Sequence, residues 1–73
     1  MRVDNIPLAE LRRVAGLTQT ELAKRWGRGQ RAVSHLESRS DWLLSSLADY
    51  LQAAGAHATL SIRIGEEEFT YRL

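Results

Sequence analysis

The chain has 73 residues and a net charge of +1, with 44% hydrophobic and 26% charged residues and no cysteine. A chain this short makes one domain and buries only about 60% of its unfolded surface, so its core needs a disulfide, a metal or a partner chain for support. The lack of cysteine excludes disulfides and thiolate metal sites, His35 and His57 lie too far apart to match a ligand spacing, and self-association is left as the expected support.

The opening Met-Arg-Val-Asp-Asn lacks the apolar stretch of a signal peptide, and no run approaches transmembrane length. A cytoplasmic protein with no membrane partner is the expectation. Pro7 suits the first turn of a helix, where its missing N–H costs nothing. Leu8, Leu11 and Val14, with Ala15, recur at helical spacing until Gly16 ends the segment. Thr18-Gln19-Thr20-Glu21 has the pattern of a capping box, so a second helix starts near Gln19, with Leu22, Ala23 and Trp26 as its buried stripe. Gly27-Arg28-Gly29 breaks it. A third helix follows from Gln30. Val33, Leu36 and Glu37 share one side of it; Gln30, Arg31, Ser34, His35 and Ser38 share the other. Residues 39–44 connect to a fourth helix, and Trp42, Leu43 and Leu44 make that connector apolar enough to pack. Ser45 or Ser46 is the expected cap of the fourth helix, whose Leu47, Tyr50 and Leu51 repeat at three and four and which Gly55 closes.

Beyond Gly55 the hydrophobic period changes to alternation. Leu60, Ile62 and Ile64 alternate with Thr59, Ser61 and Arg63, while Phe69, Tyr71 and Leu73 alternate with Glu68, Thr70 and Arg72. A turn at Gly65-Glu66, with Gly first as a type II′ turn requires, sets Ile62 opposite Phe69 and Leu60 opposite Tyr71 on one face. The other face then pairs Arg63 with Glu68, Ser61 with Thr70 and Thr59 with Arg72. One register sorts apolar with apolar and acid with base, which identifies a β-hairpin.

Charge is divided along the chain. Residues 1–40 carry eight Lys/Arg against four Asp/Glu, or +4, whereas residues 41–73 carry two against five, or −3. A basic half joined to an acidic half implies one surface for phosphate and a tail kept away from it.

Two short helices joined by a tight glycine-containing turn, the second with a polar outer face, make a helix-turn-helix. Ala23 is small where the helices cross, Gly27 permits a left-handed turn, and Leu22, Trp26, Val33 and Leu36 fill the wedge. Gly16-Leu17-Thr18-Gln19-Thr20-Glu21-Leu22-Ala23, then Gly27, Gln30, Val33-Ser34 and Leu36-Glu37, resembles the lambda-repressor-like family, also called Cro-type or XRE, over roughly residues 8–38. The resemblance implies a four-helix, mainly α fold that binds double-stranded DNA as a dimer, here with a carboxy-terminal β-hairpin. It places Gln19 against phosphate and Gln30, Arg31, Ser34 and His35 at base edges in the major groove, with His35 as reader or spacer and Ser38 on the same face. It also sets Arg12 and Glu37 where some members have a buried ion pair; an ordinary surface pair is the alternative. The sequence departs from the family at Arg28, where an apolar residue is usual and where the side chain either loosens the turn or reaches phosphate. It departs again at Gly29, a weaker cap than the usual Ser or Thr.

An isolated hairpin cannot hide Leu60, Ile62, Phe69, Tyr71 and Leu73 by itself. Those residues fold either onto the fourth helix or onto a second chain, and the second is favoured because one short helix cannot cover them. Residues 1–55 are thus expected to form the DNA-binding domain and residues 56–73 the dimerising hairpin, reading an inverted-repeat operator as a homodimer. The layout is similar to antitoxins of the HipB and HigA kind, which implies a self-regulating repressor with a cognate toxin as a further partner. A stand-alone prophage or restriction-modification regulator is one alternative; a protein-interaction module without DNA binding is another. An enzyme is not expected: the sequence offers no nucleophile–base pair and no phosphate-cradling loop, and neither a cofactor nor a metal is called for.

Overall fold

A computed structural model describes residues 2–73. In chain order the elements are β1 (Arg2–Asp4), α1 (Leu8–Val14), α2 (Gln19–Trp26), α3 (Gln30–Ser38), β2 (Asp41–Leu43), α4 (Leu44–Ala53), β3 (Thr59–Ile64) and β4 (Glu67–Arg72). Four helices and a carboxy-terminal hairpin are therefore present as expected. The molecule extends 43 × 21 × 19 Å, long for its mass because the hairpin projects from the helical body.

Helix α2 starts where the capping box sets it. The Thr18 hydroxyl accepts from the Glu21 amide at 3.1 Å, and the Glu21 carboxylate accepts from the Thr18 amide at 3.1 Å. Its far end is closed by Gly27 at φ 75°, a left-handed conformation that an L side chain adopts only at a cost. The core gathers Leu8, Leu17, Leu22, Ala23, Val33, Trp42, Leu47, Tyr50, Leu51 and Ala54 from all four helices, the α1–α2 turn, the connector and the end of α4, with Trp26 and Leu36 packed partly against it. Trp42 packs as its composition suggested, and its indole N–H donates to the Leu36 carbonyl at 2.6 Å, tying the connector to the end of α3.

Three local expectations are corrected. Pro7 is not inside the first turn but one position ahead of it, with φ −80° and ψ 76°. Neither Ser45 nor Ser46 caps α4, which begins earlier, at Leu44, with Leu43 as its cap residue. The third concerns the face of α1. Leu11 is 39% and Val14 83% exposed, while Leu8 and Arg12 are the buried residues of the helix. A spacing of four, from Leu8 to Arg12, points inward, and the apolar spacing of three diverges from it. The structure also adds a two-stranded antiparallel sheet that the sequence did not reveal, with Val3 opposite Trp42 and Arg2 opposite Leu43. Its strands are three residues each, too short for a period to register.

The hairpin register is the expected one: Leu60 opposes Tyr71, Ile62 opposes Phe69 and Arg63 opposes Glu68. Gly65 takes the first turn position at φ 59°. The hairpin does not fold back on α4. Leu60 is half-buried at its base, whereas Ile62, Phe69, Tyr71 and Leu73 are all exposed. Of the two coverings the sequence left open, the one within the chain is not made.

Candidate nucleic-acid interface

Helix α3 has an inner and an outer side because its apolar residues recur at helical spacing. Val33 is fully buried and Leu36 half-buried, which fixes the rotation of the helix. Gln30, Arg31, His35 and Ser38 are consequently exposed, and Ser34 is half-buried on the flank. The Ser38 hydroxyl donates to the carbonyl of His35 at 2.8 Å, so it is engaged within its own helix. Gly29 occupies the cap position without a side-chain hydrogen bond, leaving the first amides of α3 without a side-chain acceptor there. Such amides favour an anionic oxygen nearby.

Arg28 folds back over the turn. Its guanidinium lies 4.6 Å above the centre of the Trp26 ring, and Trp26 in turn meets Tyr50 edge-on with ring centres 6.0 Å apart. The cation–π contact holds an exposed positive charge at the turn itself. Lys24 and Arg25 add further exposed charge from the last turn of α2.

Beneath this surface lies a polar network with Glu37 at its centre. Arg12 bridges α1 to α3 with a bidentate contact, Nε to Glu37 Oε2 at 2.7 Å and Nη2 to Oε1 at 3.2 Å. The two side chains are 9% and 5% exposed, which makes this a buried pair and not a surface one. The remaining Arg12 nitrogen, Nη1, donates to the Leu17 carbonyl at 2.9 Å. The Tyr50 hydroxyl donates to Glu37 Oε2 at 2.6 Å and lies 3.2 Å from the Leu8 carbonyl. Gln19 Nε2 donates to Glu37 Oε1 at 3.0 Å, and Gln30 Nε2 donates to Gln19 Oε1 at 2.7 Å. Burial penalises the charge on Glu37, but hydrogen bonds from Arg12, Tyr50 and Gln19 outweigh it and hold the carboxyl below the ordinary carboxylate range. The same contacts act in reverse on the donors. The Glu37 hydrogen bond raises Arg12 above its usual value; burial, then Glu37, push the Tyr50 hydroxyl well above the normal phenol range.

Of the residues singled out from sequence, Gln19, Gln30, Arg31, Ser34 and His35 share one outward region at the start and along the outer side of α3, and Arg28 stands at the turn beside it. The residue that sequence reasoning missed is Tyr50. It reads as a core aromatic, and only its tertiary position reveals that its hydroxyl closes the Glu37 network. Among the described residues no group of His, Cys, Asp or Glu could hold a metal, and no helix is long and apolar enough to cross a membrane.

No protein-family model and no curated protein sequence matches the chain. Solved structures do. A DNA-bound antitoxin, HigA3, is 34% identical, with a TM-score of 0.78 over 97% of this chain and 92% of its own. A second structure, of a HigA antitoxin whose unique dimerization induces DNA bending, is also 34% identical, with a TM-score of 0.75 over 97% of this chain and 95% of its own.

Proposed function

The chain belongs to the HigA family of antitoxins, and on that premise we propose that it is a dimeric, sequence-specific DNA-binding repressor that controls its own promoter. The carrying observation is the outer face of α3, where amide, guanidinium and hydroxyl groups project from a helix whose other side is locked into the core. In this reading Gln30 and Arg31 contact base edges, with Ser34 and His35 beside them. Gln19, Arg28 and the amino end of α3 contact phosphate, and Ser38 lines the far end of the same face. Glutamine matches adenine with two hydrogen bonds and arginine matches guanine with two. Residues 1–55 form the DNA-binding domain and residues 56–73 the dimerising hairpin. A two-fold dimer presents two copies of α3 to successive major grooves about 34–36 Å apart and so reads an inverted repeat. The protein works in the cytoplasm, as a regulator and not as an enzyme.

A gel shift of the purified chain against its own upstream region, with random DNA as competitor, tests this. Gln30→Ala and Arg31→Ala are each expected to lose about 1–3 kcal/mol of preference for operator over random DNA. Lys24→Ala is expected to weaken both alike and to reduce the salt slope by about one. Equal losses for all three variants, or binding indifferent to salt, would refute base reading by α3.

The acidic, partly apolar half of the chain, residues 41–73, is the surface we assign to a cognate toxin. Affinity purification of the tagged chain expressed with its neighbouring operon genes is expected to bring down a second small protein in fixed ratio. Recovery of the chain alone from a complete operon would remove the toxin from this reading.

A further inference from the structure

The hydrogen bonds that run from Tyr50 to Gln30 have a direction, and the direction is imposed by charge. An ionised carboxylate only accepts. Glu37 has each of its two oxygens taken twice: Oε2 by Arg12 and Tyr50, Oε1 by Arg12 and Gln19. Gln19 must therefore turn its NH₂ group inward to Glu37, which leaves its carbonyl oxygen facing Gln30. That oxygen also only accepts, so Gln30 must turn its own NH₂ group towards Gln19, as it does at 2.7 Å. A side-chain amide otherwise has two nearly isosteric orientations that exchange its donor and acceptor ends.

We infer that Glu37 is a specificity-positioning residue, whose carboxylate acts through Gln19 to fix which end of the Gln30 amide is presented as acceptor. The inference rests on the reading of α3 as the DNA-contacting helix. In the imposed orientation Gln30 offers its carbonyl oxygen and one remaining N–H. That pair complements the N6 donor and N7 acceptor of adenine. In the opposite orientation the oxygen would face Gln19 and two N–H groups would be free, complementing the two acceptors of guanine, N7 and O6. One buried charge thus decides between two purines at a base that it does not touch. Gln19 keeps its second N–H for phosphate, so its positioning role and its phosphate contact are compatible. Tyr50 and Arg12 are the anchors that hold Glu37 in place.

The test is selection from a pool of randomised duplexes by the full-length chain, with Gln30→Ala used to identify the base pair that residue 30 reads. The wild-type chain is expected to prefer adenine over guanine there by roughly 5- to 150-fold, the range one good bidentate contact supplies. Glu37→Gln restores both amide orientations and should erase that preference. Because Glu37→Gln also disturbs the buried pair, Gln19→Lys serves as the second variant: it leaves Arg12 and Glu37 intact and offers only donors to Gln30. It is expected to turn the preference from adenine to guanine at that one base pair. Preferences at pairs read by Arg31, and the thermal unfolding midpoint of Gln19→Lys, should stay as in wild type, which a merely structural effect would not allow. Adenine preference persisting in Gln19→Lys, or preference falling at every base pair together, would overturn the positioning role while leaving DNA reading intact. If the wild-type chain enriches no sequence at all, DNA reading by α3 fails first and the positioning role with it.

Discussion

Glu37→Ala is expected to destabilise the protein by about 3–5 kcal/mol, the range seen when one partner of a buried ion pair is removed. The magnitude comes from what is left behind. Arg12, with its side chain 9% exposed, loses both contacts to the carboxylate and stays a charge in the interior, keeping the neutral Leu17 carbonyl as an acceptor. The Tyr50 hydroxyl and the inner amide of Gln19 lose an acceptor in the same step. A domain of this size has total stability of the same order, so the variant should be largely unfolded at ambient temperature. Urea unfolding at a fixed chain concentration is the appropriate measurement, because a dimer's stability depends on concentration. The double substitution Arg12→Met with Glu37→Met should recover most of the loss, since replacing a buried pair by apolar residues of similar volume is often neutral. A single-variant loss below about 1 kcal/mol would match a solvent-screened pair and contradict the burial described for it. The sign of the pH effect is fixed by the lowered carboxyl of Glu37. Its contribution is complete above the unfolded carboxylate value near 4.3 and disappears as pH falls through the lower folded value.

Ile62→Asp carries the second large expectation. Ile62 sits mid-hairpin opposite Phe69, with Leu60 and Tyr71 forming the next pair on the same face, and 39% of Ile62 and 43% of Phe69 are exposed in the single chain. If two such faces meet, a carboxylate at this point is buried without a partner and the interface is lost. Analytical ultracentrifugation should then report a monomer where the wild-type chain is a dimer. Operator affinity should fall by about 10²- to 10⁴-fold, the advantage that joining two half-site readers confers. The helical core should remain folded, because its buried residues, from Leu8 to Ala54, all precede the hairpin. Thr70→Asp, placed on the polar face opposite Ser61, is the control and should leave the dimer intact. An Ile62→Asp variant that still sediments as a dimer would move the interface elsewhere on the molecule.

What the sequence made legible was whatever is written locally. The capping box of Thr18 and Glu21, the turn at Gly27, the outward face of α3 and the whole hairpin register depend on residues close together in the chain, and each is found as read. The failures share a cause of the opposite kind. The inward face of α1 is not written in its apolar spacing, because Arg12, which by residue type alone reads as solvent-facing, turns inward to Glu37 25 positions away; the family resemblance, and not the periodicity, pointed to that pair. Strands β1 and β2 form only because residues about 40 apart pair, and three residues leave no pattern to detect. The role of Tyr50 hangs on a carboxylate 13 positions earlier. Along α3, sequence pattern located the outer face; it could not give the order of hydrogen bonds behind it. That order follows from which groups can only accept, and this becomes decidable once positions in space are fixed.

The projection of the hairpin from the helical body separates two kinds of inheritance. On the proposed assignment, edits to Leu60, Ile62, Phe69 or Tyr71 would alter which chains recognise one another while the reading head kept its contacts, and edits to Gln30 or Arg31 would do the reverse. A genome carrying duplicated copies of such an operon could prevent their products from mixing by drift in the last eighteen residues alone, without retuning a single operator.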